Sequence, residues 1–206
     1  MESNRLVAFG CSLTFGSNLD DIHPDNNTPS KLAWPQALGD LIGIPVDNQA
    51  SPGASNKEIL YNILKYDFST ADIVFICWTY LDRWCIITKD LLFKIGPWYT
   101  EHKDAYIQFN KADAFYKYIH DGHDMWLEFN NNIMLADLYL ESKNIKHYSL
   151  LHSFSSDSPT HSNILNIDYA KIRKNNPVTL DGHHPGEQAH KLLAQELYRY
   201  TNRNNR

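Results

Sequence analysis

Cysteine is scarce in this sequence. The three present, Cys11, Cys77 and Cys85, are odd in number and not closely paired. That argues against a disulfide framework and a zinc knuckle, and Cys11 and Cys77 read as small buried residues at strand ends. A charge excess is missing too. The 19 Lys and Arg meet 24 Asp and Glu, for a formal charge of -5, with no block of like charge. Neither a nucleic-acid footprint nor a polybasic membrane anchor is expected. No apolar run approaches a membrane span in length. The opening MESNRLVAFG lacks the basic start and apolar centre of a signal peptide, so a cytoplasmic site of synthesis is expected.

What is present is ordinary for a soluble globular protein: 43% hydrophobic and 21% charged residues over 206 positions. The length suits one domain with a sizeable core and is short for two. RLVAF, residues 5 to 9, reads as a strand stopped by Gly10. From Lys31, KLAWPQALGDLIG has apolar residues at helical spacing with Gly43 as its stop. IPVDNQ predicts a second strand. SPGASNKEILYNILKY predicts a turn and a helix, capped by Ser55 or Asn56. ADIVFICW, 71 to 78, is the strongest strand, and its near-continuous apolar run suits a sheet covered on both faces. A helix is expected from about Asp124 to Ser142, a strand over 145 to 151, and a helix from about Glu187 to Tyr200. The alternation predicts a three-layer α/β/α sandwich with a mostly parallel central sheet, flavodoxin-like in kind. Residues 1–206 read as a single domain. Its segment from about 86 to 122 is aromatic-rich with mixed helical patterns, and reads as an insertion over one end of the sheet.

FGCSLTFG, residues 9 to 16, places Ser12 just past the first strand, at the sheet edge where α/β sites assemble. Alone, Ser12 fits a helix cap as well as a nucleophile. It is not the nucleophile elbow of the large α/β-hydrolases, which needs glycine where Thr14 stands. The tail DGHHPGEQAH adds what a nucleophile requires. A serine needs a base, and the base needs an acceptor that fixes its tautomer. Asp181 and His184 are three residues apart on one loop, so both can face one pocket. His183 competes locally and is assigned to solvent or to the substrate.

FGCSLTFG, NQASPGASN and DGHHP resemble the first, second and last sequence blocks of the SGNH/GDSL hydrolase family, in the family's order. The resemblance implies that Ser12 attacks an acyl ester, that His184 is its base and that Asp181 orients the base. It also implies an oxyanion hole built from the backbone N–H groups of Ser12 and Gly53. No cofactor is implied. Two departures stand out. Cys11 replaces the aspartate that usually precedes the serine, and a thiol nucleophile there is an alternative. The third block, normally Gly-x-Asn-Asp, is CWTYLDRW here. Thr79, Tyr80 and Arg83 are the substitute donors open for the missing asparagine, and His152 is a candidate for lining the pocket. Trp78, Tyr80 and Trp84 have a simpler reading, as packing or rim residues.

Other motifs carry less. HDGHD, 120 to 124, spaces His120 and His123 for a shared helix face, but no third metal ligand accompanies them and no metal is expected. Asp157 and His161 lie in a polar segment that reads as a loop near the site. The expected function is hydrolysis of a carboxylic ester, with an O-acetyl group on a carbohydrate as one substrate. The partners expected are therefore small-molecule or carbohydrate esters, without nucleic acid or membrane. A second class is a carbohydrate-binding or assembly protein on the same fold, with weak or no turnover. Its aromatic content of 13% suits sugar stacking or an interface.

Overall fold

The computed structural model describes residues 4–22, 28–100, 106–152 and 163–203. The chain runs through β1 (Leu6–Phe9), α1 (Ser12–Phe15), α2 (Trp34–Ile42), β2 (Val46–Asn48), α3 (Asn56–Lys65) and β3 (Ile73–Trp78). A hairpin, β4 (Trp84–Ile87) and β5 (Leu92–Ile95), leads into a 3₁₀ turn (Pro97–Thr100). Then come α4 (Tyr106–Tyr118), α5 (Gly122–Ser142), β6 (Lys146–Leu151), α6 (Tyr169–Lys174) and α7 (Glu187–Arg203).

The four main strands pair in parallel in the order β2-β1-β3-β6. The inner strands β1 and β3 are almost wholly buried, as their unbroken apolar runs require when both sheet faces are covered. On one face Trp34 of α2 meets Phe75 edge-on, with ring centres 6.3 Å apart, and α2 packs on α7. On the other, Trp78 meets Phe129 of α5 at 6.4 Å, and α5 packs on α3. Phe75 and Trp78 are three positions apart, so strand alternation sends them to opposite faces. This is the expected three-layer α/β/α sandwich. At the amino edge of the sheet, Arg5 grips the buried Asp72 carboxylate with two bonds of 3.0 and 2.8 Å. That leaves the carboxyl edge to the loops of interest.

Helix ends follow local chemistry. Gly43 stops α2 in the left-handed region, φ 80°, with its N–H on Gly39 O. Ser55, not Asn56, caps α3 by accepting from the Glu58 N–H. Asp121 caps α5 through the His123 and Asp124 amides, so HDGHD is a helix start. His120 precedes the helix and packs on the Phe115 and Tyr116 rings; the two histidines do not share a helix face. Among the described residues, no three His, Cys, Asp or Glu side chains are grouped to hold a metal ion. Nor is any helix long and apolar enough to cross a membrane. Two departures from expectation concern the middle and the tail. The mixed helical patterns expected from about 86 to 122 hold for α4, but β4 and β5 form an antiparallel hairpin, and α6, capped by Asp168, is an element that the sequence pattern does not mark. Asp157 and His161 lie outside the described residues.

Candidate active site

The turn after β1 decides what Ser12 can be. Gly10 has no room for a side chain, since a Cβ there would lie 2.2 Å from Thr14 Oγ1. Cys11 is the extended N-cap residue of α1, and no side chain makes a cap bond. Ser12 is therefore the first helical residue, not the cap, and its N–H has no partner inside the helix. The single turn closes on Gly16, φ 82°. Cys11 is only 1% exposed and belongs to the core, which argues against the thiol alternative, because a nucleophile has to reach the cleft and a buried structural cysteine does not.

The loop before α7 is held by hydrogen bonds that converge on Asp181. Its Oδ1 accepts from Thr179 Oγ1 at 2.6 Å, from the His183 N–H at 2.9 Å and from the His184 N–H at 3.1 Å. Its Oδ2 accepts from His184 Nδ1 at 2.5 Å. Gly182, φ 73°, lets the chain turn tightly between them. Burial alone would raise the Asp181 carboxyl, but the bonds from Thr179, the His183 amide and His184 outweigh it and hold it well below the usual carboxylate range. An ionised Asp181 fixes the tautomer with the proton on Nδ1, leaving His184 Nε2 as the ring nitrogen that can accept a proton. Asn18 carries no motif that marks it in the sequence. It sits in the left-handed region, φ 64°, and donates its amide to Asp181 Oδ2 at 2.7 Å.

Ser12, Gly53, Asn18 and His184 line one open cleft of about 450 Å³. Gly53 has φ 72°, a conformation glycine adopts without the Cβ penalty. Its loop is fastened from the hairpin: Lys94 Nζ donates to Ser51 Oγ at 2.7 Å and to Pro52 O at 2.6 Å, and pairs with Glu58 at 3.1 Å. Lys94 and Trp98 also line the cleft. Nothing in LLFKIGPW marked them in the sequence, because their place follows from where the hairpin folds back.

Of the three substitutes for the missing asparagine, only Arg83 lines the cleft. Thr79 is buried, with its backbone tied to the Asn56 side chain. The Tyr80 hydroxyl accepts from Arg173 at 3.1 Å, and its ring lies 3.9 Å from that of His152. His152 is buried and is not among the cleft-lining residues; Arg173 engages its Nε2. Burial first, then the charges of Arg173 and Arg83, push its pKa down to about 3. His183 is exposed and does not line the cleft, while its carbonyl accepts from Arg173 at 3.4 Å. Trp78 is a core residue whose indole N–H donates to Ser149 Oγ.

No family model matches the chain, and no curated protein does. Solved structures do. A G-D-S-L family lipolytic protein from Desulfitobacterium hafniense DCB-2 superposes at TM-score 0.54 with 17% identity, over 95% of this chain and 98% of that one. A psychrotrophic esterase from Pseudoalteromonas sp. superposes at 0.55 with 13% identity, over 98% and 100%. An acetyl xylan esterase from the rumen bacterium Butyrivibrio proteoclasticus superposes at 0.59 with 11% identity, 99% of this chain matching 65% of that one. In sheet order, flanking helices and these superpositions, the chain has the SGNH-hydrolase α/β fold.

Proposed function

We propose that this protein hydrolyses carboxylic esters through an acyl-enzyme on Ser12. The observation that carries the reading is one cleft shared by Ser12, Gly53 and His184, with Asp181 on His184 Nδ1. In this mechanism His184 Nε2 takes the Ser12 hydroxyl proton as Oγ attacks the acyl carbon. The oxyanion accepts hydrogen bonds from the N–H groups of Ser12 and Gly53, each able to lower the barrier by a few kcal/mol. The intermediate then expels the alcohol, which His184 protonates. Water, deprotonated by His184, attacks the acyl group and releases the acid with Ser12 restored. Asp181 stays ionised and stabilises the imidazolium formed at each half-reaction. No step calls for a cofactor.

The acyl group is small, and the alcohol half is a carbohydrate hydroxyl. Support comes from the Trp98 ring on the cleft wall, a surface suited to sugar stacking, and from the fold shared with an acetyl xylan esterase. In this reading residues 1–206 are one domain, and the segment 86–122 is an insertion that brings Lys94 and Trp98 to the cleft. The test is intact mass after exposure to a small fluorophosphonate, with hydrolysis of 4-nitrophenyl acetate and acetylated sugars alongside. The expected result is one adduct on the native chain, none on Ser12→Ala, and turnover lost in that variant. Turnover unchanged in Ser12→Ala would overturn the reading. Sugar binding without turnover would favour the second class, a binding protein on this fold.

A further inference from the structure

The two cations of the cleft are not equivalent. Lys94 is compensated: the Glu58 carboxylate, itself buried, pairs with it at 3.1 Å, and Ser51 and Pro52 take its remaining protons. Arg83 has no such partner. No ion pair to its guanidinium occurs among the described residues, and its NH1 is shielded from solvent without a hydrogen-bond acceptor. The guanidinium carbon lies 5.0 Å from the centre of the Tyr80 ring and 5.0 Å from that of Trp98. Two aromatic contacts thus fix its position and satisfy its charge only in part.

A partly desolvated guanidinium lacking an acceptor is costly to hold. That cost falls when an anion arrives, and a planar fork of N–H donors fits a carboxylate bidentately. The other described residues that line the cleft offer no competing carboxylate. Asp181, behind His184, is already occupied by Thr179, Asn18 and the loop amides. The field of Arg83 also reaches His152, whose protonation it opposes after burial and Arg173.

We propose that the cleft selects esters carrying a carboxylate close to the scissile bond, with Arg83 as the receptor for that carboxylate. This rests on the reading of the cleft as an ester-hydrolysing site and names its substrate class. The carboxylate can belong to the acyl half, as in a dicarboxylic acid hemiester, or to the alcohol half, as in an acetylated uronic acid. Arg83 binds substrate in either case, so its loss acts on the choice between anionic and neutral esters.

The experiment compares kcat/KM for matched pairs in the full-length chain. One arm sets 4-nitrophenyl hydrogen succinate against 4-nitrophenyl butyrate, and the other sets acetylated glucuronic acid against acetylated glucose. The expected result is a preference for the anionic member of at least about tenfold in one arm, weakened by added salt. Arg83→Gln should collapse that ratio, and Arg83→Lys should keep part of it. In parallel, succinate and glucuronate are titrated by NMR into Ser12→Ala and into Ser12→Ala with Arg83→Lys or Arg83→Gln. Binding that depends on Arg83 in the absence of any turnover would support the anion site and sink the hydrolase reading alone. Turnover of neutral esters with no anionic preference in either arm, or a preference untouched by both Arg83 variants, would overturn the inference. If Arg83→Gln does not fold, Arg83→Lys and the salt dependence decide.

Discussion

Asn18 donates its side-chain amide to the Asp181 carboxylate at 2.7 Å, joining residues 163 positions apart. The same amide nitrogen lies 3.1 Å from His184 Nδ1. The turn that ends α1 is thereby fastened to the loop that carries the histidine, so Ser12 and His184 are positioned by one bond network. Asn18 touches neither the acyl group nor the oxyanion in the mechanism above; it is a positioning residue.

Asn18→Ala should lower kcat about tenfold with little change in KM for a neutral ester, the scale of one charge-assisted hydrogen bond. Asn18→Asp should be worse, since a second carboxylate beside Asp181 repels it, and its loss should ease as the pH falls. Steady-state kinetics from pH 5 to 8 on the two variants check this. A merely structural role would give equal losses in both variants at every pH.

Gly53→Ala should fold and lose activity. An added Cβ meets Trp98 and Lys94 only at ordinary contact distances of 3.5 and 3.6 Å, so the cost is in the backbone. Alanine at φ 72° is strained by about 1–2 kcal/mol. In the proposed mechanism, relaxing that strain turns the Gly53 N–H away from the oxyanion, and a drop in kcat of roughly a hundredfold is expected. Chemical denaturation and kcat on the same preparation separate the two effects.

Gly96→Ala acts on Trp98 directly. A Cβ at Gly96 would lie 2.3 to 2.5 Å from three atoms of the Trp98 ring, so the ring must move. Stability should fall by about 1–3 kcal/mol, as in other overpacked sites. The Arg83 guanidinium loses one of its two aromatic faces. A melting curve reads the first effect, and the ratio of rates on anionic and neutral esters reads the second.

Acid should destabilise the fold through two buried histidines. His152 is pushed down to about 3 by burial, then by Arg173 and Arg83. His190 is pushed down to about 4 by burial, then by His184; its Nδ1 accepts from the Trp34 N–H at 3.1 Å and so carries no proton. Both folded values lie below the unfolded value near 6.5. Between about pH 6.5 and 4 the unfolded chain binds more protons, and stability falls with pH by up to about 1.4 kcal/mol per unit for each histidine. His147 has the opposite sign. Burial lowers it, but bonds to Asp137 and the Ile145 carbonyl prevail and raise it; its contribution is full below the unfolded value and is lost as pH rises through the folded one. Urea unfolding at pH 7, 6 and 5 should show a shallower slope in His152→Gln and in His190→Gln than in the native chain.

The fold was largely legible because its central strands and covering helices are written in local pattern. LVAF and IVFICW are apolar throughout, as strands buried on both faces must be, and Gly43 and Ser55 mark helix ends by backbone chemistry that needs no distant partner. The WCII and LFKI strands were not legible. Their burial does not alternate cleanly, since the hairpin leans on α3 and α4 and forms a sheet of its own rather than joining the main one.

For the cleft, the sequence by itself supplied the chemical groups: a serine after the first strand, a glycine after the second, and an Asp-x-x-His loop before the last helix. Tertiary structure alone decided which side chains join them. It brought in Asn18, Lys94 and Trp98, buried Thr79 with its backbone on Asn56, turned the Tyr80 hydroxyl to Arg173, and left Arg83 facing the cleft without an ion-pair partner among the described residues. The physical reason is that periodicity sets which face a residue occupies within its own element. Hydrogen bonds and charge pairs between distant segments depend on where separate loops return to the same sheet edge.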